Sequence, residues 1–430
     1  MEDSPASRRV AFDVLLACLD KGQPLDDALA QHRGFPALDP RDRAFVRLLL
    51  ATTLRRLGEI DAVLGRMIER PLEGANLAGL QILRLGAAQL LFLGTPAHAA
   101  VDTSVRLVED SRLPHLKGLA NAVLRRVARE GVTLLGDRDP ARLNTPQWLW
   151  DSWTASYGEA TTRAIAAAHL IEAPLDLTPR SNAEFWAGRL EGELLPTGTI
   201  RRAAGGAITE LPGFAEGAWW VQDAAAALPV RLLGDIAGKR VADLCAAPGG
   251  KTLQLAAAGA HVAAVDISAR RMTRLGENLA RAGLTAELVT ADAGKWMPTE
   301  TFDAILLDAP CSGTGTLRRH PDIAWLKDED DVARLNLTQD RLLVQASRLL
   351  KPGGTLLYAV CSLQEDEGPA RVELALAHIP GLKRLPVQPS ELPGLAEAIT
   401  SQGDVRTLPS MWPERGGLDG FYIARLKIDR

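Results

Sequence analysis

Residues 240–252 read Arg-Val-Ala-Asp-Leu-Cys-Ala-Ala-Pro-Gly-Gly-Lys-Thr, a short apolar run that leads into a glycine-rich loop. Such a run predicts a β-strand over 240–244, followed by a loop and a helix. Glycine lets the backbone approach a ligand closely, and the first amide groups of the next helix are free to bind it. The stretch therefore predicts a sheet strand with a ligand-binding loop at its carboxyl end.

Four further apolar runs follow, and helical segments separate them. These runs are 261–265, 286–289, 304–307 and 355–360. This alternation is typical of a parallel sheet with helices on both faces. The last segment, 420–428, alternates apolar and polar side chains and predicts an antiparallel edge strand. Residues 236–430 are thus expected to form an α/β domain of Rossmann-like type.

The remaining residues predict two further parts, so the chain is expected to be multidomain. Residues 1–135 are helical throughout, with apolar stripes such as Val10, Val14 and Cys18, and predict an all-α bundle. Residues 145–235 are interrupted by prolines and glycines, which favours a small α+β connecting module.

Composition excludes several classes of protein. The chain has 430 residues, 47% of them hydrophobic, and four widely separated cysteines, which argues against a zinc finger or a disulfide scaffold. No apolar run approaches the roughly 18 residues of a membrane span, and the start Met1–Arg9 lacks the apolar core of a secretory signal. We expect a cytoplasmic protein, monomeric, without a metal and without a membrane.

A net charge of −4 excludes a polycationic nucleic-acid binder but not a local basic face. Arginines cluster in the helical part at positions 41, 43, 47, 55 and 56, and again at 125, 126 and 129. Arginine forks suit phosphate oxygens. A solvated helix face is the alternative explanation of the same clusters.

Carboxylates end three of the predicted strands, where ligands bind in an open parallel sheet. Asp266 lies about 20 residues beyond the glycine loop, which suits ribose hydroxyls, and Asp292 is placed to meet an adenine amine. Either of these two carboxylates alone is explained by a helix cap, but with the glycine loop they predict an adenosine-shaped site that S-adenosylmethionine fits better than ATP. Asp308 ends the fourth strand, where an acid followed by proline can present hydrogen-bonding groups to a flat base.

A nucleotide hydrolase is the competing class, because Gly250-Lys251-Thr252 is part of a phosphate loop. That loop requires glycine five places earlier, where this chain has Cys245.

Two cysteines, Cys311 and Cys361, follow the fourth and fifth predicted strands. A thiolate that adds to carbon 6 of a pyrimidine makes carbon 5 able to accept a methyl group, and a second cysteine can assist elimination and release. The pattern therefore predicts covalent methyl transfer to a pyrimidine. It does not show which cysteine is the nucleophile, nor which group lowers the pKa of that thiol.

Three motifs resemble the bacterial cytosine-5 methyltransferases of 16S ribosomal RNA. They are Asp-Leu-Cys-Ala-Ala-Pro-Gly-Gly-Lys-Thr at 243–252, Asp-Ala-Pro-Cys-Ser-Gly-Thr-Gly at 308–315 and Val-Cys-Ser at 360–362. The likeness covers roughly residues 220–430, and the helical part resembles the NusB RNA-binding fold. It implies an S-adenosyl-L-methionine-dependent enzyme acting on RNA. The alternatives are a related enzyme acting on tRNA and a non-catalytic RNA-binding factor.

The resemblance also implies residue roles. Cys361 is expected to be the nucleophile, Cys311 to serve product release and Asp308 to act beside the base. The cofactor site is expected to consist of Cys245, Ala246, Ala247, Pro248, Gly249, Gly250, Lys251, Asp266, Asp292 and Asp308. Arg318, Arg319 and His320 follow the Cys311 loop and are expected to contact the RNA backbone, with a solvated helix cap as the alternative.

Overall fold

The structure is a computed structural model that describes residues 5–136 and 138–429. The first four residues of the predicted bundle lie outside the described residues. The chain divides into two compact units. One comprises the residues up to Leu170 together with Arg319–Lys327, and the other comprises Ile171–Arg318 and Asp328–Arg430. The division into three parts at 135, 145 and 235 stays a prediction.

The first unit is helical, as predicted. The apolar stripe of the first helix is buried, with Val10, Val14 and Cys18 at most 4% exposed, so Cys18 is a core residue. Asp39 caps the third helix by accepting a hydrogen bond from the amide of Asp42 at 2.7 Å. The helices are α1 Pro5–Lys21, α2 Leu25–Gln31, α3 Pro40–Arg55, α4 Leu57–Leu64, α5 Leu77–Leu91, α6 Ala97–Asp110, α7 Lys117–Leu135, α8 Pro140–Leu143, α9 Gln147–Tyr157 and α10 Glu159–His169.

A segment from much later in the chain completes this helical unit. Within Arg319–Lys327, Trp325 donates from Nε1 to the carbonyl of Leu54 at 2.8 Å, and Asp322 accepts from the amide of Leu25 at 3.0 Å. Trp325 and Leu326 also pack against the helical core. The helical core therefore includes residues that follow the Cys311 loop in sequence.

The second unit contains a small antiparallel sheet, in the strand order β2-β3-β1-β4. Leu177, Ile200 and Trp219 form its buried face, each 0% exposed. Asp176 and Arg201 form a buried ion pair at 2.7 Å, which couples two of the strands. Its elements are β1 Leu175–Pro179, α11 Ala183–Arg189, β2 Glu193–Leu194, β3 Ile200–Arg202 and β4 Trp219–Val221.

The large sheet of the second unit confirms the predicted α/β fold. Its order is β10-β12-β9-β8-β5-β6-β7, with β11 paired to β12. Strands β5 to β9 run parallel, and β12 pairs antiparallel with β9, as the alternation at 420–428 predicts. The strands are β5 Arg240–Leu244, β6 His261–Asp266, β7 Glu287–Thr290, β8 Phe302–Asp308, β9 Leu350–Val360, β10 Leu382–Arg384, β11 Val405–Thr407 and β12 Phe421–Ile428.

Helices accompany the strands of this sheet, because each parallel connection must cross back along the sheet. They are α12 Leu228–Arg231, α13 Gly250–Ala257, α14 Ala269–Ala282, α16 Glu329–Leu349 and α17 Pro369–His378, while α15 Ile323–Leu326 belongs to the helical unit. Among the described residues, no helix combines the length and the apolar character that crossing a bilayer requires.

Candidate active site

Strand register brings the predicted site residues to one edge of the large sheet. Leu244 of β5 pairs with Val265 of β6 on one side and with Leu307 of β8 on the other. Cys245, Asp266 and Asp308 each come one residue later, so they lie side by side at the carboxyl ends of three adjacent strands. This is where an open parallel sheet binds its ligands.

The glycine loop after β5 turns sharply before α13 begins. Cys245 has φ +64° and Gly249 has φ +110°, both in the left-handed region. A Cβ at position 249 would lie only 2.8 Å from Cγ of Leu275, so glycine is required there by packing as well as by the dihedral angle. The turn brings the first residues of α13 back to the sheet edge.

Lys251, in the first turn of α13, forms an ion pair with Asp308 across the site. Its Nζ lies 2.7 Å from Oδ2, and the lysine side chain is only 10% exposed. Burial lowers the pKa of Lys251, but the charge and hydrogen bond of Asp308, with further contributions from Cys361 and Asp243, raise it above its ordinary value overall. Lys251 is therefore a buried cation beside a partly exposed carboxylate.

Two groups at the end of β5 have raised pKa values. Burial raises the pKa of Asp243 to about 7, although the Thr252 hydroxyl donates to it at 2.6 Å and opposes the shift. Burial, together with the charges of Asp308, Asp266 and Asp243, raises the pKa of the Cys245 thiol to about 12. Cys245 therefore carries its proton at neutral pH and is a poor nucleophile.

Asp266, the last residue of β6, and Asp292, which follows β7, accept hydrogen bonds from the loops around them. Asp266 is 2% exposed and accepts from the amides of Ala247 and Ser268 at 3.2 and 2.9 Å. Asp292 accepts from the amide of Gly294 at 2.9 Å and lies 3.4 Å from Arg341. The helix-capping explanation fails for both carboxylates, because Ser268 is the N-cap of α14 and β7 is followed directly by β8. The two carboxylates instead organise the loops at the sheet edge.

The hydrogen-bonding groups at this edge fit S-adenosylmethionine. Successive strand ends supply carboxylate acceptors for hydroxyl and amino groups, and Asp292 and Asp308 keep 25% and 31% of their side chains exposed. The phosphate-loop interpretation has less support. Lys251 and Thr252, which such a loop would turn to phosphates, are bound to Asp308 and Asp243 instead.

The sulfurs of Cys311 and Cys361 lie 3.4 Å apart, without a disulfide. Asp308 pairs with Ala359 across β8 and β9, so both cysteines emerge from adjacent strand ends. The hydrogen bond to Cys361, burial, the Cys361 charge and the charge of Glu367 together raise the pKa of Cys311 well above its ordinary value. Cys311 is therefore a thiol in this state.

Glu367 is a residue of this site that the sequence analysis missed. Its side chain is fully buried and accepts hydrogen bonds from Ser312 and Ser362, the residues that follow the two cysteines. An acidic triplet, Glu-Asp-Glu at 365–367, begins two residues after the Val-Cys-Ser motif. That proximity was the available signal, but nothing in it distinguishes the buried acid from its two exposed neighbours.

The prediction that Arg318 contacts RNA is wrong. Its side chain is 1% exposed, and its Nη2 lies 3.1 Å from Asp419 and 3.3 Å from Asp223. A guanidinium is buried only when such partners compensate its charge. Arg319 and His320 belong to the helical unit, where His320 lies 3.6 Å from Asp26.

The two arginine clusters of the helical unit differ in their surroundings. Two arginines of the first cluster make contacts within their own unit. Arg43 donates to the carbonyls of Pro36 and Leu38, and Arg56 pairs with Glu59 at 3.0 Å. In the second cluster, Arg125 and Arg129 line a groove of about 1260 Å³. The other lining residues are Pro5, Ala97, His98, Ala99, Val101, Asp102, Thr103, Val105, Arg106, Asn121 and Ala128.

Comparison with known proteins agrees with this architecture. A family model described as 16S rRNA methyltransferase RsmB/F matches residues 231–427, and the NusB family model matches residues 5–129. The ribosomal RNA small subunit methyltransferase B of Pseudomonas putida is 38% identical, over 97% of this chain and 98% of that protein. Its counterpart from Vibrio cholerae is 36% identical, over 97% and 96%.

Among solved structures, a methyltransferase homologue from Pyrococcus horikoshii covers 65% of this chain and 93% of its own, with 26% identity and a TM-score of 0.55. The full-length likeness to the curated relatives covers the helical unit, the glycine loop and both cysteine loops. The chain therefore belongs to the 16S rRNA methyltransferase RsmB/F family and is an S-adenosylmethionine-dependent RNA methyltransferase.

Proposed function

We propose that this protein transfers a methyl group from S-adenosylmethionine to carbon 5 of a cytidine in 16S ribosomal RNA, through a covalent bond between Cys361 and carbon 6. The observation that carries the proposal is the pair of sulfurs 3.4 Å apart, at the sheet edge that also presents the strand-end carboxylates. A single nucleophile would need one cysteine. A second thiol in contact with it supports a reaction with separate addition and release steps.

The cofactor would be held by the loop Cys245–Lys251 together with Asp266, Asp292 and Asp308. When bound, S-adenosylmethionine supplies an electrophilic methyl group on a positively charged sulfur. The loop contributes backbone close to the ligand at Gly249 and Gly250, and the carboxylates accept from the hydroxyl and amino groups of the nucleoside.

In the proposed reaction, the Cys361 thiolate adds to carbon 6 and the ring electrons move toward carbon 5. Carbon 5 then bonds to the methyl carbon as the methyl–sulfonium bond breaks. The proton on carbon 5 must leave next. Its electron pair restores the double bond between carbons 5 and 6, and the carbon–sulfur pair returns to Cys361 as the thiolate departs.

Lys251 and Asp308 support the addition step. The interaction with Cys361 is one of the causes that raise the pKa of Lys251. The ammonium of Lys251 is therefore a positive charge that interacts with Cys361 at the proposed site of addition. Asp308 binds Lys251 through Oδ2, and its partly exposed carboxylate would accept a hydrogen bond from the amino group of the cytosine.

Cys311 supports release. In the resting state its proton is retained largely because of the hydrogen bond and charge of Cys361. Once Cys361 is a neutral thioether, those two causes disappear. Cys311 then ionises more readily, losing its proton to solvent, and its thiolate can accept the proton from carbon 5.

The target base must leave its stack, because carbon 6 is inaccessible inside a paired helix. A single-stranded loop or a flipped nucleotide meets this requirement, and sequence-specific RNA recognition generally uses such elements.

The test uses unmodified 16S RNA that carries tritium on carbon 5 of its cytidines and a carbon-labelled methyl donor. We expect one tritium released to water for each methyl group incorporated, because substitution at carbon 5 must expel that hydrogen. Methyl incorporation without tritium release would place the methyl group on another atom and overturn the proposal. A parallel tRNA transcript is expected to remain unlabelled, and labelling of the tRNA alone would reassign the substrate.

The groove of the helical unit is proposed to bind the RNA backbone. Arg125→Glu/Arg129→Glu is expected to weaken RNA affinity at least about tenfold and to reduce the slope of log affinity against log salt by about two. S-adenosylmethionine affinity should not change. Arg66→Glu/Arg70→Glu is the matched control, since both arginines are exposed in the same unit but outside the groove. Equal losses in both double variants would show a general charge effect and contradict the assignment.

A further inference from the structure

A fully buried carboxylate lies beside the two cysteine loops. Glu367 ends the short turn Glu365–Glu367 that connects the Cys361 loop to α17, and its side chain is 0% exposed. Its neighbours Glu365 and Asp366 are exposed. Burial of a carboxylate is unfavourable unless hydrogen-bond donors compensate it, so the donors around Glu367 indicate what the residue is for.

Those donors come from both cysteine loops. Oε2 of Glu367 accepts from the hydroxyls of Ser312 and Ser362, each at 2.5 Å. Oε1 accepts from the amide of Ser312 at 2.8 Å and from Nε2 of Gln339, on α16, at 3.1 Å. Ser312 follows Cys311 and Ser362 follows Cys361, so one carboxylate binds the residue adjacent to each cysteine.

Main-chain hydrogen bonds also join the segment that carries Cys311 to the segment that carries Cys361. The amide of Ala309 donates to Ala359 at 2.9 Å, and the amide of Gly315 donates to Cys361 at 3.0 Å. Residues 310–314 of the Cys311 loop lie between these two bonds. Glu367 binds this part of the loop, where the sulfurs approach to 3.4 Å.

We propose that Glu367 is a positioning residue that clamps Ser312 to Ser362 and thereby keeps Cys311 in reach of the adduct formed at Cys361. The inference rests on the proposed two-cysteine reaction. Each loop belongs to a different strand, and a shift of about 1 Å between reacting groups can cost up to 100-fold in rate. A shared acceptor removes the independent movement of the loops. The charge of Glu367 also contributes to the raised pKa of Cys311.

The test compares Glu367→Ala with Glu365→Gln, an exposed acid in the same turn, in the full chain with unmodified 16S RNA and S-adenosylmethionine. Glu367→Ala is expected to slow release of the methylated RNA by about 10- to 100-fold. A denaturation-resistant protein–RNA band should therefore accumulate although both cysteines are present. Glu365→Gln should behave as the unaltered protein, and cofactor affinity should be the same in all three.

A merely structural role predicts a different result. Loss of folded enzyme lowers adduct formation and release together, so no band accumulates, and that outcome overturns the inference. Glu367→Gln keeps the size and most hydrogen bonds of the side chain, so it is expected to restore much of the release rate. Combining Glu367→Ala with Cys311→Ala should slow release no further than Cys311→Ala alone.

Two results separate this inference from the proposed function. If Cys311→Ala forms no adduct, the two-cysteine reaction fails and the clamp fails with it. If Cys311→Ala forms the adduct and the Glu367 variants do not, only the clamp is wrong. Should Glu367→Ala fail to fold, Ser362→Ala tests the clamp instead. It removes the hydrogen bond from Ser362 to Glu367 and leaves the bonds from Ser312 to Glu367 in place. The adduct is expected there too, and its absence would count against the clamp.

Discussion

Cys361→Ala is expected to abolish methyl transfer to RNA while S-adenosylmethionine binding survives. Without the sulfur, no bond forms to carbon 6, and carbon 5 of a cytosine is too weak a nucleophile to take the methyl group unaided. The loss should be at least about 10⁴-fold, as for removal of other covalent nucleophiles. Single-turnover methyl transfer and calorimetric binding of the cofactor measure the two quantities separately.

The control is Cys361→Ser, which keeps a polar group of similar size but no readily ionised thiol. It should be as inactive as the alanine variant, with an unchanged melting temperature. Retained activity in either variant would refute the proposed nucleophile. Loss of cofactor binding in a folded protein would instead show that Cys361 belongs to the cofactor site.

Cys311→Ala is expected to accumulate a covalent protein–RNA adduct. In the proposed reaction, addition and methyl transfer depend on Cys361, Lys251 and Asp308, all of which remain in this variant. The thiol proposed to assist elimination is gone. The band should survive denaturation, disappear after ribonuclease treatment and contain close to one RNA per protein. Turnover should stop after the first methyl group.

The double variant Cys311→Ala/Cys361→Ala should form no adduct, because it lacks the sulfur that bonds to the base. An adduct in Cys361→Ala but not in Cys311→Ala would mean that the two roles are reversed. The raised pKa of Cys311 agrees with the stated assignment, because that thiol keeps its proton before an adduct forms.

Local sequence patterns predicted the elements of the sheet closely. The run 240–244 coincides with β5, and the alternation at 420–428 became the antiparallel strand β12. The predicted strand ends then indicated where the candidate site lies, because the carboxyl ends of parallel strands lie at one edge of the sheet. The positions of Cys245, Asp266 and Asp308 on adjacent strands follow from this rule.

Those patterns could not predict contacts between residues that are far apart in the sequence. Arg318 has the composition and location of an RNA contact, but Asp223 and Asp419, distant in sequence, bury it as an ion pair. Trp325 and Asp322 follow a cysteine loop of the α/β unit but pack in the helical unit. Periodicity reports which face of an element is apolar, and it does not report which other element covers that face.

The glycine loop, the strand-end acids and the two cysteines were enough to predict an α/β methyltransferase and to suggest a thiol-based reaction. They could do so because residue type, spacing and strand polarity are local properties. Only the tertiary structure shows three further features of the site: the 3.4 Å between the sulfurs, the Lys251–Asp308 pair and the burial of Glu367. Each depends on the distance between groups far apart in the chain. Such distances, and the desolvation that shifts a pKa, exist only once the strands and helices have assembled.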